Sequence, residues 1–578
     1  MTSNVDSPRP GWWLVALTSL TFLFLLGSRS LNEPDEGRYA EIAREMLELN
    51  DWIVPHLWYA PHLDKPPLTY WSVAVSMAIF GRNEWAVRLP LALAGLSGVW
   101  VSYLLGRALG GQRVGLWSAL ILQSSLLYFV MARMLTTDIL LTQFIAWAVY
   151  FFWESWRSLD ADQAETAARR THQTKRFFTW HLAGWAMIAP GFLTKGPIAI
   201  VVPMVALAAL VFFRRRDVAR RKILRWGMVA GLFLFGALVA PWFCLVFGRV
   251  PSASQFMVFG QFVGHTLGTT IKNRRGHPLY YFAILGLGFL PWTVLLGWLW
   301  RRAHWRQLEP VRQQAWAMLS AWVLFTFVLF SLTRSKLPAY ILPLFPALAV
   351  MVALRFFGAS SGPAEAPAWV WRLCLASPLV LMVMIPMVVP LIFHVARPVE
   401  SKVEVAVALA ALGLLWWRWR TFSQERCAAW AVVLGLLNLQ LIAAVAPTLE
   451  TSLKRNQTLK PLGLALRREW RPGVTLVCWG RLPQGLPFYA HPAISETNRP
   501  YLGGMALDQV PFEFPGNQEW FGDQVLADEN ALIRLLSGDG RVLVVAVSGS
   551  FGRFQRGFKS NPLKLLAREG QWELFGNR

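Results

Sequence analysis

Charged side chains crowd the segment just past the first apolar run. Glu33, Asp35, Glu36 and Arg38 lie in LNEPDEGRYAEIAREM (31–46), and Lys65 lies in DKPPLTYW (64–71). Bare charge beside a membrane is costly unless it works. Carboxylates with cations close along the chain suit chemistry on the charged head groups of lipids. Asp138, after Thr136-Thr137, opens a later apolar run. Lys195 sits in FLTKGP (192–197), and Arg334 and Lys336 sit in SLTRSKLPAYILPLFP (331–346).

Each of these residues has a plainer reading. Asp35 and Asp138 both precede helical patterns and could serve as N-caps, satisfying free backbone donors. The cations could snorkel to lipid phosphates. Short outer loops should be poor in Lys and Arg, however, so Lys65 and Lys336 read better as converging on one phosphate-bearing ligand. For Arg133, Lys195 and Arg334 both readings stay open.

The elements that position these residues are membrane helices. The 578-residue chain is 55% hydrophobic, only 15% charged and carries 31 Trp, which excludes an ordinary soluble protein. Apolar runs without strand-like alternation make it an all-α polytopic membrane protein. Thirteen spans are expected, near 11–28, 86–106, 114–131, 138–155, 179–193, 196–213, 226–248, 279–299, 314–331, 337–354, 372–394, 402–417 and 426–446. Basic loops, such as RRRDVARRKILR (214–225), fall on one side if the N-terminus is cytoplasmic. This bias accounts for much of the net charge of +23 and removes the case for nucleic acid as a partner. The four cysteines are scattered and suggest neither disulfides nor a zinc site.

The opposite side carries the longer segments. Loop 29–85 reads as an amphipathic helix lying on the membrane surface, with Tyr39, Ile42, Ala43, Met46 and Leu47 on its apolar face. Loop 249–278 holds His265, Lys272, Arg274, Arg275 and His277; its plainer reading is a solvated charge run, though it has the length of a lid. Residues 1–446 form the transmembrane domain. The less apolar tail, 447–578, reads as a soluble α/β domain with strands at 474–479 and 541–549. Glu84, His62 and His265 could bind a divalent metal, but their spacing is no recognisable ligand set.

NEPDEGRYAEIAREM, DWIVPHL (51–57), DKPPLTYW, FGRNEWAVRLP (80–90), FLTKGP and SLTRSKLPAYILPLFP together resemble the aminoarabinose lipid A transferases. These are bacterial inner-membrane enzymes of the glycosyltransferase-C fold, related to protein O-mannosyltransferases. The resemblance implies transfer of 4-amino-4-deoxy-L-arabinose from undecaprenyl phosphate to a lipid A phosphate on the periplasmic face, with resistance to polymyxin and cationic peptides as the outcome. It places the acidic motif on Asp35 and Glu36, the second acidic position on Asp138, and the lysine on Lys65, where Asp64 replaces the family's usual Glu. The donor-phosphate candidates are Lys65, Lys336, Arg38, Tyr39, Tyr340, Lys195 and Arg274. Glu84 and Arg133 are the candidates for sugar or acceptor. The partners are the lipid-linked sugar, lipid A and membrane lipids; the protein is expected to be monomeric and to need no cofactor.

An ionised lipid A phosphate, with a second pKa of about 6, needs no general base. Asp35 would then hold the sugar's ammonium or stabilise charge at the anomeric carbon. The alternatives are transfer to protein Ser or Thr, or transport of a lipid-linked sugar. Transport is disfavoured because DEGRYA has no second copy and the charges cluster at one boundary.

Overall fold

The computed structural model describes residues 12–159, 167–213, 218–257, 276–277, 279–300, 310–333, 335–358, 366–393, 406, 410, 413, 423–452, 458–503, 524–549 and 563–577. The chain is a polytopic helical membrane protein. Among the described residues five helices are long and apolar enough to cross a membrane, and seven spans result if each of two bent pairs counts as one. The bundle comprises α1 (Trp12–Leu23), α4 (Glu84–Gly110), α5 (Gln112–Gln123), α6 (Leu126–Ala132), α7 (Asp138–Ser158), α8 (Ala167–Lys195), α9 (Ile198–Phe213), α10 (Val218–Arg249), α11 (Tyr280–Gly288), α12 (Pro310–Leu332), α13 (Phe345–Phe357), α14 (Ala368–Phe393) and α15 (Gln424–Ser452). The run expected at 402–417 lies largely outside the described residues. Phe233, Leu287 and Leu332 are exposed on the outer surface, as lipid-facing side chains should be.

Two expected spans are broken. α5 and α6 meet at 69°, and α11 meets the 3-10 helix Trp292–Trp298 at 119°. Pro291, which brings no N–H to a ladder, interrupts the second. The breaks satisfy one another: Leu126 N–H donates to Leu290 O at 3.3 Å and Trp292 Nε1 to Ser124 Oγ at 2.9 Å.

The first loop differs from its expected form. α2 (Asp35–Glu48) buries ten of its residues, including Glu36, Glu41, Arg44 and Glu45, so it is not a helix floating on the membrane surface. Its polar face is turned inward because the loop supplies partners. Arg44 donates to Glu41 at 2.7 and 2.8 Å and to Tyr59 Oη at 2.9 Å, and also pairs with Glu48. Glu45 accepts from Trp58 N–H at 2.7 Å and Tyr59 N–H at 2.8 Å. Those two residues join β1 (His56–Leu57) to β2 (Ala60–Pro61), with φ of 56° and 63°. Two successive left-handed residues make the tightest hairpin turn, which usually takes Asn-Gly. Here the Glu45 carboxylate holds two aromatic residues in it. α3 (Leu68–Phe80) then leads into α4, which Asn83 caps by accepting from Ala86 N–H at 2.9 Å.

Beyond the bundle come α16 (Lys460–Glu469), β3 (Thr475–Trp479), α17 (Leu486–Ala490), β4 (Tyr501–Gly503), β5 (Val525–Leu526), α18 (Glu529–Ser537), β6 (Val542–Val547), β7 (Lys564–Glu569) and β8 (Trp572–Gly576). The sheet order is β5-β4-β3-β6-β8-β7. Strands β3 to β6 pair in parallel, and β8 runs antiparallel to both β6 and β7. Side-chain alternation sorts its two faces. Leu476, Cys478, Leu543 and Val545 join the core shared with the bundle; Val477, Trp479, Val542 and Val544 pack with Leu532 and Leu536 of α18.

Candidate active site

At one end of the bundle, four parts of the chain bring charge together: the start of α2, the DKPP segment, the α7–α8 end, and the 3-10 helix Pro338–Leu344 that precedes α13. Asp35 is the first residue of α2, after Pro34 at the cap position, and it makes no capping hydrogen bond. It pairs with Arg38 at 2.8 Å and its side chain is 42% exposed. Asp138 is likewise the first residue of α7, with Thr137 at the cap position and no side-chain cap. It is buried and takes Lys195 Nζ at 2.5 Å. Capping therefore explains neither aspartate. Lys195, the last residue of α8, also lies 4.4 Å from the Tyr340 ring centre.

Tyr39 stands among these groups, stacked on Tyr70 at 5.5 Å. Burial pushes its phenol up; Arg38 works against this, and the carboxylates of Asp64, Asp35 and Asp138 add to it. Asp138 also acts electrostatically on Tyr281, as does Tyr340. Tyr39 and Tyr281 thus tie the two aspartates, Asp64 and Tyr340 into one neighbourhood. Lys65 faces Asp64, donating to its carbonyl at 3.0 Å with the carboxylate at 3.2 Å.

Three expected site residues are engaged in holding the chain together. Glu36, beside Asp35, is buried and takes a two-pronged contact from Arg88, 2.9 Å to each oxygen. Arg29 at 2.9 Å and the N–H groups of Asn32 and Leu135, both at 3.0 Å, complete its shell. Burial alone would raise its carboxyl, but Arg88 and Arg29 outweigh it and hold the pKa at about 2. Both oxygens of Glu36 are saturated, the arrangement of a fastener that holds the chain on either side of it. Lys336 spends its ammonium on the carbonyls of Phe330, Ser331 and Thr333, at 3.3, 2.8 and 3.0 Å. It caps the end of α12 with all three donors. Arg133 donates to Phe22 O at 2.8 Å, which ties it to α1, and lies over the Phe129 ring.

Glu84 is the first residue of α4 and accepts from Lys460 Nζ at 2.6 Å and Tyr489 Oη at 3.4 Å, both C-terminal. Among the described residues no three His, Cys, Asp or Glu side chains are gathered as metal ligands, although His62 is buried nearby in sequence to Lys65. His265, Arg274 and Arg334 lie outside the described residues.

Arg88 escaped the sequence reading, and Glu33 was noted there only as one charge among several. Arg88 is fully buried and holds the carbonyls of Leu26, Arg29 and Ser30 at 3.3, 2.5 and 2.7 Å in addition to Glu36. An arginine one turn into an apolar helix was the available signal. Glu33 is pressed between Gly37 and Gly485, where burial lifts its pKa to about 8 despite the Gly485 N–H bond.

Comparison with known proteins shows the family. The undecaprenyl phosphate-alpha-4-amino-4-deoxy-L-arabinose arabinosyl transferase of Erwinia tasmaniensis is 30% identical over 407 residues, 69% of each chain. The chain belongs to this arabinosyl transferase family. The Edwardsiella ictaluri member is 32% identical over 354 residues, and the match spans 59% of its length and of this chain's. The family model for dolichyl-phosphate-mannose-protein mannosyltransferases matches residues 64–243. In three dimensions the chain shares the fold of ArnT from Cupriavidus metallidurans, whose crystal structure was solved bound to undecaprenyl phosphate. The TM-score is 0.76 at 22% identity, over 98% of this chain and 97% of that one.

Proposed function

We propose that this arabinosyl transferase family member transfers 4-amino-4-deoxy-L-arabinose from undecaprenyl phosphate to a phosphate of lipid A. The observation that carries the reading is the convergence of Asp35, Asp138 and Lys195 around Tyr39 and Tyr340 at one end of the bundle, within motifs of that family. An oxygen of the ionised acceptor phosphate forms the new bond to the anomeric carbon. The bond from that carbon to the donor's phosphate oxygen breaks, and the electron pair leaves with undecaprenyl phosphate.

Cations must meet the charge that grows on the leaving phosphate. Lys195, Lys65 and Arg38 take that part, each contributing on the order of 2–4 kcal/mol to lowering the barrier. Arg274 is proposed as a further contact to that phosphate. Asp35, exposed beside Arg38, holds the sugar's ammonium or stabilises positive charge at the anomeric carbon. Asp138 keeps the Lys195 ammonium oriented. With the phosphate charge met by these groups, the reaction is assigned no metal-dependent step.

The protein acts as a monomer of thirteen spans in the bacterial inner membrane. Its N-terminus is cytoplasmic, and the site and the C-terminal α/β domain (447–578) are periplasmic, which suits lipid A as acceptor and makes polymyxin resistance the outcome. The mannosyltransferase family match favours one other reading, a protein hydroxyl as acceptor. The mass of lipid A from cells with and without the protein tests both. A gain of one aminoarabinose on lipid A supports the proposal; unchanged lipid A with a newly glycosylated protein overturns it.

A further inference from the structure

We propose that the C-terminal unit is part of the site's framework and that Tyr489 is a positioning residue for the acidic segment 31–37; the inference rests on the reaction proposed above. Tyr489 is buried at the bundle side of α17. Its hydroxyl oxygen accepts from Leu31 N–H at 2.8 Å and donates to Glu84 Oε1 at 3.4 Å, where Lys460 closes the contact at 2.6 Å. Glu84 and Arg88 lie one turn apart on α4. Arg88 grips the carbonyls of Leu26, Arg29 and Ser30 and the Glu36 carboxylate, while Glu84 reaches the same segment through Tyr489. The hydroxyl therefore completes a two-sided hold on the residues that lead into Asp35.

A second contact lies four residues upstream of Tyr489. Gly485 meets Gly37 backbone to backbone, two residues beyond Asp35. A Cβ on Gly485 would stand 2.6 Å from Gly37 Cα, and one on Gly37 would stand 2.9 Å from Gly485 Cα. At the far end of α2, Glu496 N–H donates to Glu48 at 2.9 Å. The C-terminal unit thus touches both ends of the helix that carries Asp35, Arg38 and Tyr39. A shift of about 1 Å in such groups can cost on the order of 100-fold in rate.

The test is Tyr489→Phe in the full-length protein in detergent or nanodiscs, which removes one oxygen and keeps the ring. Single-turnover transfer should fall roughly 10-fold, with the donor KM changed less than about twofold and the melting temperature nearly unchanged. Lys460→Met, at a half-exposed side chain, should give a smaller fall of the same kind and serves if the first variant folds poorly. Arg541→Gln, which breaks an ion pair with Glu469 inside the same unit, is the control and should keep the wild-type rate. A readout independent of the reaction is amide exchange in the 31–37 peptide, which should quicken in Tyr489→Phe and not in the control. Wild-type rate and exchange in both variants would overturn the inference. Absence of aminoarabinose transfer by the wild-type protein would instead overturn the proposed reaction and leave the exchange result standing.

Discussion

Asp35 and Glu36 are adjacent acids that should respond in opposite ways to loss of charge. Glu36→Gln leaves Arg88 and Arg29 facing a neutral amide in a buried site, which costs on the order of 3–5 kcal/mol. The carboxyl itself moves from 4.5 to about 2, a linkage worth about 3 kcal/mol, which agrees with that range. Because the folded pKa is depressed, this stability is present above about pH 4.5 and is lost as pH falls toward 2. Asp35 is partly exposed, with one salt bridge to Arg38, so Asp35→Asn should cost no more than about 1 kcal/mol of stability. Its transfer activity should nevertheless vanish. Thermal unfolding of the purified proteins, paired with single-turnover transfer from the undecaprenyl-linked sugar, separates the two effects. A Glu36→Gln protein with wild-type melting and no turnover would refute the fastener assignment. An Asp35→Asn protein with normal turnover would refute the catalytic one.

Asp138→Asn should slow transfer by about 100-fold and also lower the melting temperature, because it leaves the Lys195 ammonium without its buried carboxylate partner; single-turnover rates and thermal unfolding check this. Lys336→Ala should lower the melting temperature, at a cost of about 1–2 kcal/mol, without a matching rise in donor KM, since its donors serve the end of α12. Glu33→Gln should remove a pH dependence. The Glu33 carboxyl titrates higher folded than unfolded, so its contribution is full below about pH 4.5 and falls as pH rises through about 8; the variant should gain stability over wild type at pH 8 and show little difference at pH 4. A periplasm-active reporter fused after Arg578 should be functional, and cytoplasmic activity there would contradict the thirteen-span orientation.

Much of the helical architecture was legible because apolar runs of spanning length have few readings in a chain this poor in charge. The aspartates and Lys195 were legible as charges at span ends, but their partners were not. Asp138 and Lys195 are far apart in sequence, and only the packing of α7 on α8 brings them together. The helix-end contacts of Lys336 were not legible, because a lysine closing its own helix and a lysine holding a phosphate look the same in sequence. α2 misled for a related reason. Its pattern is amphipathic, but Glu45 and Tyr59 convert the polar face into a buried network that no periodicity reveals. The Trp58-Tyr59 turn carried no glycine or asparagine to announce it.

The two interrupted spans bear on biosynthesis. Leu126 N–H finds its partner at Leu290, and Ser124 Oγ, which donates back to its own turn, accepts from Trp292 Nε1; both of these partners lie on a segment translated much later. When the α5–α6 stretch leaves the ribosome, its opened backbone has no such neighbour, and lipid offers none. The nascent chain must keep that bend sheltered, inside the insertion machinery or against water at the membrane edge, until the later segment arrives. Truncations that stop before residue 290 should therefore integrate the first helices yet leave the bend accessible to aqueous thiol reagents at Ser124→Cys. Extending the chain past Trp298 should close it.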